Sequence, residues 1–177
     1  MSRPVLRTLA RDQRGAAIIE LALIAPVFAL MTIGIVDMSN AYSRKLALEQ
    51  GAHRAIEKIM QTTEDSTVEL TLANEAVCQV NGVDSTGVCN TAPITLANVT
   101  VTYTLECTTG GGTSTNQQTT NSVVFDTYTC PSANTEARYI QVALTDKYTP
   151  LFPVAFAAFN SGDGTYHISA VAGMRIQ

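Results

Sequence analysis

Apolar positions along the chain change their spacing twice, and each spacing predicts a different element. From Ala16 to Val36 they are nearly continuous, interrupted only by Glu20, Pro26, Thr32 and Gly34. A helix of about 21 such residues rises roughly 31 Å, enough to cross the ~30 Å hydrocarbon core of a bilayer. Pro26 removes one backbone bond and predicts a looser turn or kink. Past Asp37 the spacing becomes amphipathic: Ala41, Leu48, Ala52, Ala55 and Ile59 share one face, while Lys45/Glu49 and His53/Glu57 sit four apart on wetter faces. That pattern predicts one long helix continuing to about residue 60. Thr62-Thr63-Glu64-Asp65 breaks it, and Ser66 with Glu69 three residues on forms a capping-box pattern for a second, short helix toward Val77.

From Val99 the period drops to two, with Val99, Val101, Tyr103 and Leu105 on one face and Thr100, Thr102 and Thr104 on the other. This alternation predicts a half-buried strand, and further strands are expected over 123–129, 139–144 and 166–176. The tract TTGGGTSTNQQTTN between the first two has no apolar anchor and reads as a mobile loop. The predicted fold class is α+β: a long N-terminal helix whose outer half is covered by an antiparallel sheet of about four strands, with a shared core. The stretch LFPVAFAAF, residues 151–159, is too short and too interrupted by Pro153 to span a membrane. It is expected to pack between sheet and helix or to meet a neighbouring subunit.

Charge adds a direction to this outline. Residues 1–14 carry Arg3, Arg7, Arg11 and Arg14 against Asp12, while the remainder of a chain of net charge -4 is acidic. Basic residues before the apolar run and Asp37 after it place the N-terminus in the cytoplasm and the body outside. Nothing beyond residue 14 concentrates Lys or Arg with aromatic residues, so a nucleic-acid surface is not expected.

Cysteines at 78, 89, 107 and 130 make an even set with no C-x-x-C pair, in the part placed outside the cytoplasm. Disulfides are therefore preferred over a metal site. Pairing Cys78 with Cys89 and Cys107 with Cys130 would close two local loops, each worth about 3 kcal/mol in the chain-entropy model, although the other two pairings stay open. Catalytic readings find little support. His53 and His167 have no nucleophile or ligand partner at a local spacing. The Gly-rich tract lacks the Lys-Ser/Thr and helix of a P-loop, and Asn160-Ser161-Gly162-Asp163-Gly164 supplies too few oxygens for calcium. No enzymatic activity, cofactor or metal is expected.

Glu20 is the residue that the outline leaves unexplained. A carboxylate inside a membrane run costs about 2.5–3.5 kcal/mol on insertion scales, so such acids usually have a task. Gly15 followed by Ala16-Ala17-Ile18-Ile19-Glu20 resembles the site cut by prepilin peptidases, in which a short basic leader ends in Gly and Glu is the fifth residue of the mature chain. The segment RGAAIIELALIAPVFALMTIGIVDMSNAYSRKLALEQGAHRA is similar to the N-terminal region of the TadE-like pseudopilins of tight-adherence (Flp-type) pilus systems. VALTDKYTPLFP and YHISAVAGMRIQ are similar to that family's closing strands, whereas residues 61–135 carry no matching motif.

The resemblance implies a pilin-like architecture: a leader over residues 1–15, a transmembrane helix over 16–36, a continuing helical spine over 37–60 and a periplasmic α+β domain over 61–177. It implies a minor pseudopilin trimmed after Gly15 by a prepilin peptidase and acting in pilus assembly, initiation or surface adhesion. Its partners would be the peptidase, other pilin and pseudopilin subunits, and the inner-membrane assembly platform. Glu20 would then pair with the new α-amino group of Ala16 on a neighbouring subunit, each charge offsetting part of the other's burial cost. The competing expectation is an unprocessed single-pass envelope protein with an exported partner-binding domain, in which Glu20 merely reaches for the cytoplasmic interface.

Overall fold

The structure, a computed structural model, describes residues 14–61, 66–152 and 162–176. Helix α1 spans Arg14–Gln61 without a break, passing through Pro26. Helix α2 spans Ser66–Asn81, four residues beyond the predicted end at Val77. The break at 62–65 and the side chains of the Ser66/Glu69 capping box lie outside the described residues. A 3-10 turn at Leu96–Asn98 leads into strand β1, Val99–Thr108. Then come β2, Ser114–Thr119, the one-turn helix α3, Ser122–Phe125, β3, Thr135–Tyr148, and β4, Tyr166–Arg175.

The four strands form one antiparallel sheet in the order β2-β1-β3-β4. Its inner face carries the alternation that the sequence shows: Tyr103, Leu105 and Cys107 of β1 are buried, as are Ile140, Val142 and Leu144 of β3, and Ala170 and Ala172 of β4. Against this face lie the outer half of α1, through Leu48, Ala52, Ala55 and Ile56, and α2, through Leu72 and Ala76. Small residues on α1 let the helix approach the sheet closely, and Gly51 does the same toward α2 beside Val80. Polar ties fasten the layers at their margins. Arg44 of α1 meets Asp146 of β3 at 3.0 Å, and Lys58 of α1 meets Glu75 of α2 at 2.7 Å.

The sheet is therefore the predicted one in kind, but one strand lies elsewhere. The expected strand over 123–129 is instead α3 and a turn. The Asn121 side chain accepts hydrogen bonds from Val123 N at 3.0 Å and Val124 N at 3.3 Å, capping a helix whose purpose is to bury Phe125. The outer neighbour of β1 is β2, within the tract expected to be a mobile loop. Residues 109–113 turn tightly there, with Gly112 at φ 82° and Thr109 and Thr113 closing the hairpin through a 2.9 Å backbone bond. β2 is an edge strand of Ser, Thr, Asn and Gln exposed along nearly its whole length, so no apolar alternation marks it. Of the apolar stretch 151–159, Leu151 and Phe152 are described and the remainder is outside the described residues.

Candidate functional site

The N-terminal half of α1 carries the residues expected above to serve in processing and assembly. Gly15, Ala16 and Glu20 all belong to this helix. Residues 17–32 are exposed throughout, so the domain does not cover them. This part of α1 holds the one described stretch long and apolar enough to cross a membrane. Among the described residues, a Cβ added at Gly15 would meet nothing within 4 Å. Glu20 is exposed, and among the described residues none pairs with it.

About 25 Å further along the helix, at 1.5 Å per residue, the apolar run ends at Asp37, whose role the sequence reading missed. Asp37 is 2% exposed and the one buried charged residue among those described. Its carboxylate accepts the backbone N–H groups of Leu151 at 2.8 Å and Phe152 at 3.2 Å, and the Tyr148 hydroxyl at 3.4 Å. Burial, and then the negative charge of Asp37, push the Tyr148 hydroxyl above its usual range. Asp37 thus bolts the end of β3 and the chain after it to the helix at the mouth of the apolar run. A signal was available: Asp37 lies four residues before Ala41 and continues the spacing of the core face backwards. In the sequence it serves only as the acidic flank that sets topology, because acids are rarely buried.

The four cysteines form two bonds, Cys78–Cys89 and Cys107–Cys130, with Cα separations of 5.0 and 5.6 Å. These are the locally closing pairs. Within the first loop, Asp84 accepts hydrogen bonds from Thr86 Oγ1 at 2.6 Å and from the amides of Thr86 and Val88, which hold its carboxyl below the usual range. The second bond ties β1 to the segment after α3 rather than to another strand. Beside it Arg138 lies over the Phe125 ring, 4.9 Å from the centroid, and donates to the Tyr128 carbonyl.

The histidines lie apart. His53 is exposed on α1, and its neighbour Arg54, not His53, pairs with Glu57. His167 lies 2.8 Å from Asp163, which also meets Lys147 at 3.0 Å and Thr165 Oγ1 at 2.7 Å. His167 first, then Thr165 and Lys147, hold the Asp163 carboxyl well below the ordinary carboxylate range. With Lys147 against it, that carboxylate faces a positive charge and is poorly placed to take calcium. No group of three His, Cys, Asp or Glu side chains suited to a metal occurs among the described residues.

No curated protein and no solved structure matches the chain. The family model of the TadE-like proteins matches residues 15–56, from the glycine before the apolar run to the core face of the helical spine. Over that segment the chain is similar to the TadE-like protein family.

Proposed function

We propose that this chain is a minor pseudopilin of a tight-adherence (Flp-type) pilus, trimmed after Gly15 by a prepilin peptidase. It waits in the bacterial inner membrane with its N-terminus cytoplasmic and its disulfide-bonded domain in the periplasm. There it acts in pilus assembly, initiation or adhesion alongside other pilin subunits and the assembly platform. The observation that carries this reading is a glycine with open space at its Cβ position and a carboxylate with no partner, both among the described residues and five positions apart inside the matched segment. Both are explained at once if a peptidase requires the glycine and a neighbouring subunit's α-ammonium meets Glu20. Two disulfides support an oxidising compartment for the domain.

Intact-mass measurement of the chain purified from its native membrane tests the proposal. The expected mature protein begins at Ala16, and Gly15→Val abolishes trimming because a β-branched side chain does not fit a site built for none. A full-length native protein leaves instead the unprocessed single-pass envelope protein with an exported partner-binding domain, and normal trimming of Gly15→Val refutes Gly15 as the residue the peptidase requires.

A further inference from the structure

The corner held by Asp37 has an unusual combination of features. Leu151 and Phe152 are apolar, 65% and 38% exposed, yet their backbone amides are fixed to a buried carboxylate. The position of the anchor explains it. Asp37 directly follows Val36, the last residue of the apolar run, so the corner lies where the hydrocarbon core of a spanned bilayer would end. Cover over α1 reaches further still, because Ile33 and Gly34, one turn toward the run from Asp37, are half-buried whereas residues 17–32 are exposed. The end of the sheet at the same level is closed by Tyr148 and Tyr166, stacked with centroids 6.1 Å apart. Tyrosines concentrate at membrane–water interfaces, where an apolar ring and a polar hydroxyl are both satisfied.

We propose that the Leu151–Phe152 corner is a second membrane contact, seated in the interfacial layer of the same bilayer that α1 crosses. The occupant of this surface is lipid. Asp37 is its positioning residue, holding the corner so that the two side chains face the bilayer. A helix that leaves a membrane alone can swivel and tilt; a second contact beside it fixes the tilt and rotation of the exported domain relative to the membrane plane. This inference rests on the reading of α1 as membrane-spanning.

The chain contains no tryptophan, so single substitutions report their own surroundings. The full chain is reconstituted in phosphatidylcholine vesicles with four variants in turn: Leu151→Trp, Phe152→Trp, Ile24→Trp within the apolar run, and Val123→Trp on α3. Lipids brominated at shallow or deep acyl positions serve as quenchers. The inference expects emission of Leu151→Trp and Phe152→Trp to shift to the blue and to be quenched most by the shallow label. Ile24→Trp is quenched most by the deep label, and Val123→Trp by neither. Adding Asp37→Ala to Leu151→Trp, in protein that still shows both disulfides and native circular dichroism, returns its emission toward that of Val123→Trp. Corner reporters that behave like Val123→Trp while Ile24→Trp is quenched overturn the second contact and leave the spanning helix intact. An unquenched Ile24→Trp overturns the spanning helix and this inference with it. Quenching of Leu151→Trp that Asp37→Ala does not alter refutes the positioning role of Asp37.

Discussion

Gly51 offers a sharp test of how α1 and α2 pack. A Cβ at this buried position would fall inside the van der Waals shell of Val80 Cγ2 and 3.1 Å from the Ala76 carbonyl oxygen. Alanine is favoured over glycine within a helix by about 1 kcal/mol, whereas forcing an extra methyl into a filled core costs about 1–3 kcal/mol. The contact with Val80 Cγ2 is the severe one, whereas Ala76 O needs to give by only a few tenths of an ångström. Gly51→Ala is therefore expected to destabilise the folded domain by about 1 kcal/mol net. Removing the obstructing side chain reverses the sign. In a Val80→Ala background the main clash is gone, and Gly51→Ala becomes neutral or stabilising by up to about 1 kcal/mol. The assay is urea unfolding of the full chain in detergent micelles, followed by the emission of its six tyrosines. Midpoints are compared among the four members of the cycle at constant slope. A Gly51→Ala protein more stable than the parent, or the same effect in both backgrounds, refutes the steric account.

Phe125 is 1% exposed and contacts Tyr103, Tyr128 and the Arg138 guanidinium, so Phe125→Ala should cost about 3–5 kcal/mol in the same unfolding assay. Replacing Cys107 and Cys130 together by serine should cost about 3 kcal/mol, and thiol labelling of the unreduced, denatured parent should find no reactive cysteine. The Asp163 carboxyl is held below its usual range, so its contribution to stability is complete above the unfolded value near 3.8 and declines as pH falls below it. The difference in urea midpoint between the parent and Asp163→Asn should accordingly be largest near neutrality and shrink on acidification; a difference that grows in acid would contradict this. Glu20→Leu should insert and be trimmed normally yet fail to assemble, because an unpaired buried ammonium costs about 3–5 kcal/mol per contact. Cell fractionation and pilus imaging check this, and normal pili would make Glu20 a bystander.

The sequence by itself determined the long helix and its core face, the second helix, and three of the four strands, with the buried face of β1. The long helix and β1 repeat apolar residues at the period of the backbone, and burial of one face follows from that repeat. It also singled out Gly15 and Glu20, because each breaks a local rule at a position where nothing else nearby repairs it. The fourth strand was a matter for tertiary structure. Edge strand β2 is wet on both faces, so backbone pairing with β1 decides it and leaves no period of two. At 122–125 two adjacent valines favour a strand, but the Asn121 cap and the pocket for Phe125 beside the Cys107–Cys130 bond prevail. Asp37 shows the same division most clearly. Its place on the core face follows from residue spacing, but its burial is tolerable only because residues 148–152, more than a hundred positions along the chain, bring two amides and a hydroxyl to its oxygens. Donors so distant in sequence leave no local mark, and only the folding of the sheet onto the helix brings them there.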